Sequence, residues 1–168
     1  MKILLLLLLI MTGSSGFSQA AVELTPGGFA TVAFERPART NEQLLERARG
    51  WAIIFNRNND NPVDVYDVSE TGVSIDAFRN NAFFYRNRGE VYYHRIRYTM
   101  RIEFGEKTYS INFRVKEIYT DNTLTELTTA DFFAPDGRLK EDYEEVKPSL
   151  ETSANTVINS FASYMAAD

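Results

Sequence analysis

The sequence feature that most constrains the fold is an alternation of apolar and polar residues over positions 91 to 119. From Ile96 up to Gly105 every second residue is apolar, and the residues between them are Arg, Thr or Glu. Successive side chains of a β-strand point to opposite faces, so this pattern predicts strands with one buried and one solvated face. A two-residue turn at Gly105-Glu106, in which glycine supplies the positive φ of a type II′ turn, would join them as a hairpin.

This turn also predicts the register of the hairpin. The apolar residues would face one another in the pairs Ile102 with Tyr109, Met100 with Ile111, Tyr98 with Phe113 and Ile96 with Val115. On the polar face, the same register places Arg97 opposite Arg114 and Arg95 opposite Lys116. A turn two residues longer still leaves Arg97 facing Lys116. Directly opposed like charges destabilise a sheet, so this basic cluster requires an explanation.

The polar face of the hairpin is the predicted binding surface. Its candidate residues, all aromatic or basic, are Tyr93, Arg95, Arg97, Arg101, Arg114 and Lys116. Three explanations of the basic cluster remain open. In the first, the long side chains extend into water, where salt screens their repulsion. In the second, the acidic run 141–145 folds back and neutralises them. In the third, they hold an anionic group from a polymer, a lipid head or an acidic partner.

The first twenty residues predict export. Met1 and Lys2 give a short basic start, residues 3–11 are all apolar, and residues 12–20 are mostly small and polar. A run this short does not span a bilayer, and its flanks are typical of a secretory signal cleaved before Ala21. The sequence contains no cysteine, which leaves no residue for lipid attachment or a disulfide. We therefore expect a periplasmic or secreted protein that is not lipid-anchored and has no transmembrane segment after cleavage.

The remainder is predicted to form one domain. Residues 21–28, which include Pro26-Gly27-Gly28, are expected to be a flexible lead-in, and residues 29–168 the domain itself. Within that domain residues 120–147 lack a sustained period and are predicted to be mostly loop. A chain of this length can bury a core without disulfides.

Two helices with one apolar stripe each are predicted to cover one face of the sheet. The first begins after Thr40, which forms a capping box with Gln43, and Trp51 lies on its apolar stripe as a core residue. The second begins near Pro148 and runs to about Ala166.

The order of these elements predicts an α+β fold. Short strands are expected at 29–35, 63–69 and 73–78, the last extending to Tyr85 past a kink at Asn80-Asn81. Together with the hairpin this gives the order β-α-β-β-β-β-α, a single antiparallel sheet of about five strands. Both helices pack on one face, and the other face stays open.

The sequence resembles a known family in this arrangement. The resemblance rests on the leader, the short strand, the capped helix QLLERARGWAIIF, the hairpin YTMRIEFGEKTYSINF and the C-terminal helix. These features are similar to the secreted bacterial family called domain of unknown function 4468, which has a TBP-like fold. The resemblance covers about residues 29–119 and implies fold and export. The family has no established activity, so it contributes no functional residues.

The residue inventory disfavours catalysis. Nucleophilic catalysis needs a base beside the nucleophile, and this chain has no cysteine and one histidine, His94. His94 lies on the apolar face of the hairpin and is predicted to be partly buried and satisfied by a neighbour. A carboxylate-based hydrolase remains the alternative, because glycoside hydrolysis needs only two acids at a fixed gap. The acids on adjacent strands are Asp64, Asp67, Glu70 and Asp76.

No cofactor or metal is expected. The oxygen-rich loop at 56–62 suggests calcium, with Asn56, Asn58, Asp60, Asp64 and Asp67 as possible ligands, but Pro62 interrupts it and the glycine and terminal glutamate of an EF-hand loop are missing. The net charge of −5 disfavours nucleic-acid binding.

The predicted function is therefore an exported, non-catalytic binding or interaction module that uses its open sheet face or an edge strand. An envelope protein or an acidic ligand is the expected partner, and a binder of an anionic small molecule or polymer is a further alternative.

Overall fold

The computed structural model describes residues 21–57 and 63–167. The predicted leader, residues 1–20, lies outside them. The strands are β1 (Leu24–Thr25), β2 (Gly28–Phe29), β3 (Val32–Glu35), β4 (Asp64–Tyr66), β5 (Gly72–Asn87), β6 (Glu90–Phe104), β7 (Thr108–Thr120) and β8 (Thr123–Leu124). The helices are α1 (Asn41–Asn56) and α2 (Val146–Ala166), with short 3-10 turns at Thr129–Phe132 and Glu141–Tyr143.

The main sheet has the strand order β3-β7-β6-β5-β4, and β8 adds to β7. Every pair in it is antiparallel. The predicted α+β architecture is therefore confirmed, with six strands in place of about five because the short β8 folds back on β7.

Between Phe104 and Tyr98, the register of the β6–β7 hairpin is not that of the Gly105-Glu106 turn but that of the alternative, shifted by two residues. Phe104 pairs with Tyr109 and Ile102 with Ile111, and the Gly105 N–H donates to the carbonyl of Thr108 over 2.8 Å. Gly105 therefore belongs to the last rung of the ladder, and the turn lies one residue later than predicted. The alternation survives this two-residue shift in pairing because strand side chains repeat with period two.

The long strand β5 contains the predicted kink. Its pairing with β6 is interrupted between Arg79 and Phe83, and Asn81 has φ 50°. Asparagine tolerates this left-handed conformation better than most residues. The β5–β6 turn consists of Arg88 and Gly89, both at positive φ, which is the two-residue geometry that matches the twist of a hairpin.

The helices cover one face of the sheet, as predicted. Thr40 and Gln43 form the predicted capping box at the start of α1. Trp51 is 2% exposed, its ring lies 5.1 Å from Phe161 of α2, and Phe161 in turn contacts Tyr109 of β7. The core thus lies between the two helices and the apolar face of the sheet.

The segment predicted as a flexible lead-in packs onto the core instead. Strands β1 and β2 form a small separate hairpin, and both Val22 and Leu24 are buried. The Val22 N–H donates to Asn155 and the Leu24 N–H to Glu151, each over 2.8 Å. Side chains of α2 therefore satisfy the backbone of this segment, which sequence alone did not indicate.

The region 120–147 contains β8, the two 3-10 turns and irregular chain. It also contributes to the core, because Phe132 and Phe133 are buried. Phe132 packs against Phe83 of β5 and stacks on Tyr143. This segment closes one end of the molecule beside the start of α2.

Candidate functional site

The six predicted site residues lie on β6 and β7. Alternation along β6 places Tyr93, Arg95, Arg97 and Arg101 on the open face, away from the helices. Arg114 joins them because it pairs with Thr99 of the same face. Lys116 is the extra residue of a β-bulge, since Tyr98 pairs with Val115 while Arg97 pairs with Glu117.

This bulge removes the predicted clash of like charges. Arg97 faces Glu117 instead of Arg114 or Lys116, and Arg95 faces Tyr119. For the pairs of Arg95 and Arg97, both registers predicted from the sequence were wrong, because each assumed a ladder without a bulge. A single extra residue in β7 replaces like-charged neighbours with a carboxylate and a phenol.

Arg97 is the centre of an ionic network on the open face. Its guanidinium lies 3.0 Å from Oδ2 of Asp76 and 3.2 Å from Oε1 of Glu117. Desolvation lowers the pKa of Arg97, but Glu117 and Asp76 outweigh it and raise the pKa overall. Arg97 is therefore held as a cation by its own chain.

Asp76 is buried under this network, at 7% exposure. Its Oδ1 accepts hydrogen bonds from Tyr66 over 2.9 Å and from Thr99 over 2.5 Å, and its Oδ2 contacts Arg97. Both oxygens are engaged, so the carboxylate is positioned as a structural acceptor at the middle of the sheet.

Arg95, two residues before Arg97 on the same face, is held by aromatic rings. Its guanidinium carbon lies 4.9 Å from the ring centroid of Phe78 and 4.6 Å from that of Tyr119, a cation–π geometry. Its Nε is buried and has no hydrogen-bond partner in the described chain.

A row of aromatic side chains lies on the open face around Arg95. We define it by the residues Phe78, Phe84, Tyr93, Arg95 and Tyr119. Phe84 and Tyr93 lie opposite each other with ring centroids 6.0 Å apart, and Tyr93 is 55% exposed. The row combines aromatic and guanidinium surface on rigid strands.

The other three predicted residues, Arg101, Arg114 and Lys116, do not belong to the aromatic row. Arg101 pairs with Glu103 at an exposed position over 3.0 Å. Arg114 and Lys116 are exposed and line a groove of about 410 Å³ beside Gly27 and Gly28. The six residues thus occupy four environments rather than one basic strip.

In the described part of the chain, no acid of the run 141–145 forms an ion pair with the predicted basic residues of the open face. Glu145 pairs with Arg86 near the end of the β5–β6 hairpin. The second explanation of the basic cluster is therefore wrong, because Asp76 and Glu117 supply the countercharge instead.

His94 lines a cavity that the sequence pattern did not reveal. It is 5% exposed and stacks on Phe83 with ring centroids 4.6 Å apart, but its Nδ1 has no hydrogen-bond partner in the described chain. The cavity, of about 490 Å³, is also lined by residues from β5, the loop after β7 and the turn at Glu141–Tyr143.

The cavity depends on tertiary structure, which is why the sequence did not reveal it. Thr120, Leu127 and Tyr143 line it with His94, although they are far apart along the chain. The available signal was a histidine on the apolar face of a strand, and that signal alone does not distinguish a core residue from a cavity wall.

The metal and membrane expectations concern separate features. Of the suggested calcium ligands, Asn58 and Asp60 lie outside the described residues. Among the residues that are described, no three His, Cys, Asp or Glu side chains are grouped to hold a metal ion. The helices described between residues 21 and 167 include none with the length and apolar character to cross a membrane.

The fold and the open face define the chain as an α+β protein with an antiparallel sheet covered by helices on one side. A solved structure with this fold is a DUF4468 family protein from Bacteroides ovatus, with a TM-score of 0.59, 12% identity, and coverage of 88% of this chain and 92% of that chain. A TBP-like protein from Parabacteroides distasonis aligns with a TM-score of 0.49 and 16% identity over 80% of this chain and 88% of that one. No family model and no curated protein matches the sequence.

The Bacteroides ovatus structure confirms, at the level of fold alone, the resemblance predicted from the sequence. Sequence identity this low shows the fold alone and does not identify functional residues in this chain.

Proposed function

We propose that the chain is an exported, non-catalytic binding module that contacts another protein through the aromatic row on its open face. The observation that carries the proposal is the exposed Tyr93 beside an Arg95 held between two rings. Tyrosine and arginine are enriched among residues that dominate protein–protein binding energy, and they act best where they are held rigid.

The ionic network supports the row as the contact surface. Arg97 already has two carboxylate partners in its own chain, so an incoming anion would have to compete with Asp76 and Glu117. In the row, Tyr93 remains exposed, although the guanidinium of Arg86 lies over the ring of Phe84 at 5.5 Å. A partner protein that packs on the aromatic and guanidinium faces of the row therefore fits this surface better than an anion bound by all six predicted residues.

The same network supports a non-catalytic role. A carboxylate hydrolase needs two acids that are free to exchange a proton or to attack substrate. Asp76, which lies opposite Asp64 in the β4–β5 pairing, has both oxygens engaged by Tyr66, Thr99 and Arg97.

Site-specific photocrosslinking in the native host tests the proposed surface. Tyr93 is replaced by p-benzoylphenylalanine, and the matched control carries it at Ile53, an exposed position on α1. We expect a discrete crosslinked species from position 93 that position 53 does not give, and Phe84→Ser should reduce it. The same adducts from both positions would contradict a specific contact at the aromatic row.

Export is tested separately, by mass spectrometry of the mature protein from that host. We expect an N-terminus at Ala21, because the apolar run and the small residues after it are typical of a cleaved signal. Recovery of mature protein that retains Met1 would contradict this part of the proposal.

A further inference from the structure

The cavity that His94 lines is separate from the aromatic row. It has a volume of about 490 Å³ and none of its lining residues belongs to the row. Four of its ten lining residues are aromatic, namely Phe83 and Tyr85 of β5, His94 of β6 and Tyr143 of the second 3-10 turn. Concave sites of this size with a few polar groups are typical of small-molecule binding.

His94 supplies a buried polar atom without a partner at this site. The imidazole stacks almost parallel on Phe83, at 9°, and lies 5.4 Å from Tyr85. Its Nδ1 is buried and unpartnered in the described chain. Desolvation lowers the pKa of His94, against the smaller raising effects of the Tyr92 backbone and Asp121, so the ring does not place a positive charge in the cavity at neutral pH.

The charges around the cavity leave an excess of negative charge. Arg86 lines it, but its guanidinium is paired with Glu145. Asp142 also lines it and makes no hydrogen bond or ion pair with the described residues. Burial is the main cause of the raised pKa of Tyr143, and the nearby charges of Asp131 and Asp142 raise it further.

We propose that this cavity binds a small organic cation, an ammonium group carried on an apolar body. Asp142 supplies the countercharge, and the electron-rich faces of Tyr85 and Tyr143 contribute cation–π attraction. Phe83 and His94 form the apolar wall against which the body of the ligand packs. This site is independent of the protein-binding surface, so either assignment can fail without the other.

A matched set of three probes tests the proposal on the full mature chain. The probes are 2-phenylethylammonium, the uncharged 2-phenylethanol and the anionic phenylacetate, each titrated while backbone amide shifts are followed by NMR. We expect the ammonium to bind about tenfold more tightly than the alcohol, the range of a desolvated cation–π contact with a countercharge. The shift changes should centre on residues 83–86, 94 and 142–146.

Two variants separate the cavity from general attraction to an acidic protein. Asp142→Asn should weaken ammonium binding several-fold and leave the alcohol unchanged, because only the countercharge is lost. Glu126→Gln removes an exposed acid that does not line the cavity and should have little effect. Leu127→Trp, which fills the cavity from its half-buried wall, should abolish binding of all three probes while the unfolding midpoint reports whether the fold persists.

The proposal is overturned by any of three results. The first is equal affinity for the ammonium and the alcohol. The second is an equal loss with Glu126→Gln and Asp142→Asn. The third is no saturable shift with the ammonium, or shifts centred on the aromatic row, in the folded wild-type chain.

Discussion

The two faces of the sheet are built by different physical means. The covered face is apolar from Ile96 to Phe104 and meets Trp51 and Phe161 of the helices. The open face has a buried carboxylate, Asp76, satisfied by its neighbours at the centre, and exposed rings at one end. Burial therefore stabilises one face, while the other combines an internal ionic network with surface available for contact.

Arg95 and Arg97 show the same contrast within one strand. They share a face and are two residues apart, yet Arg97 meets carboxylates and Arg95 meets rings. An arginine in a sequence pattern is thus not a binding residue by itself. Its neighbours on adjacent strands decide whether its charge is neutralised within the chain.

The largest effect is expected on the covered face. Trp51→Ala should lower the free energy of unfolding by about 3 to 5 kcal/mol, because a large buried side chain leaves a cavity between α1 and α2. Chemical denaturation measures the loss. Ile53→Ala, on the exposed side of the same helix, is the control and should change stability by no more than about 0.5 kcal/mol. Similar losses from both positions would remove the distinction between the faces of α1.

A smaller loss is expected at the centre of the open face. Arg97→Ser should cost about 1 to 3 kcal/mol, because it leaves the buried Asp76 without its cation. The like-charged pairs predicted from the sequence would make this change neutral or stabilising, and the observed pairing of Arg97 with Glu117 reverses that expectation. Arg101→Ser removes an exposed pair with Glu103 and should cost at most about 1 kcal/mol. Equal losses would mean that the Asp76 network is no stronger than a surface pair.

The covered face should also show a pH dependence from its buried histidine. Burial lowers the pKa of His94 below its ordinary 6.5, so the unfolded chain binds the proton more readily than the folded one. Stability should therefore fall as pH drops below about 6.5, by at most about 1.4 kcal/mol per pH unit, the limit for one proton. Because His94 is the chain's single histidine, His94→Phe should remove this slope between pH 7.5 and 5.5. A slope that persists in the variant would assign it to carboxylates.

The smallest stability effect is expected in the aromatic row. Tyr93→Ser should change the free energy of unfolding by no more than about 0.5 kcal/mol, since the side chain is more than half exposed. The same variant should lose the proposed protein contact. A large loss of stability from Tyr93→Ser would instead indicate that the aromatic row stabilises the fold.

Much of the fold was predictable because it rests on local patterns. The capping box at Thr40 and the kink at Asn81 follow from residue types at fixed spacing. The candidate site was only partly predictable. Its residues were placed correctly on one face, but their partners Asp76, Phe78 and Tyr119 come from neighbouring strands.

The sequence by itself determined which side chains face the helices and which face outward, since alternation is a property of each strand and survives a two-residue shift in register. Only the tertiary structure decided which outward charges meet. The extra residue Lys116 in β7 moves Glu117 opposite Arg97. The apolar positions change phase there, from Val115 to Ile118, but which residues of β6 they then meet is fixed only in the folded sheet. The His94 cavity has the same origin, because its walls join β6 to segments that follow β7 and approach only when the chain is folded.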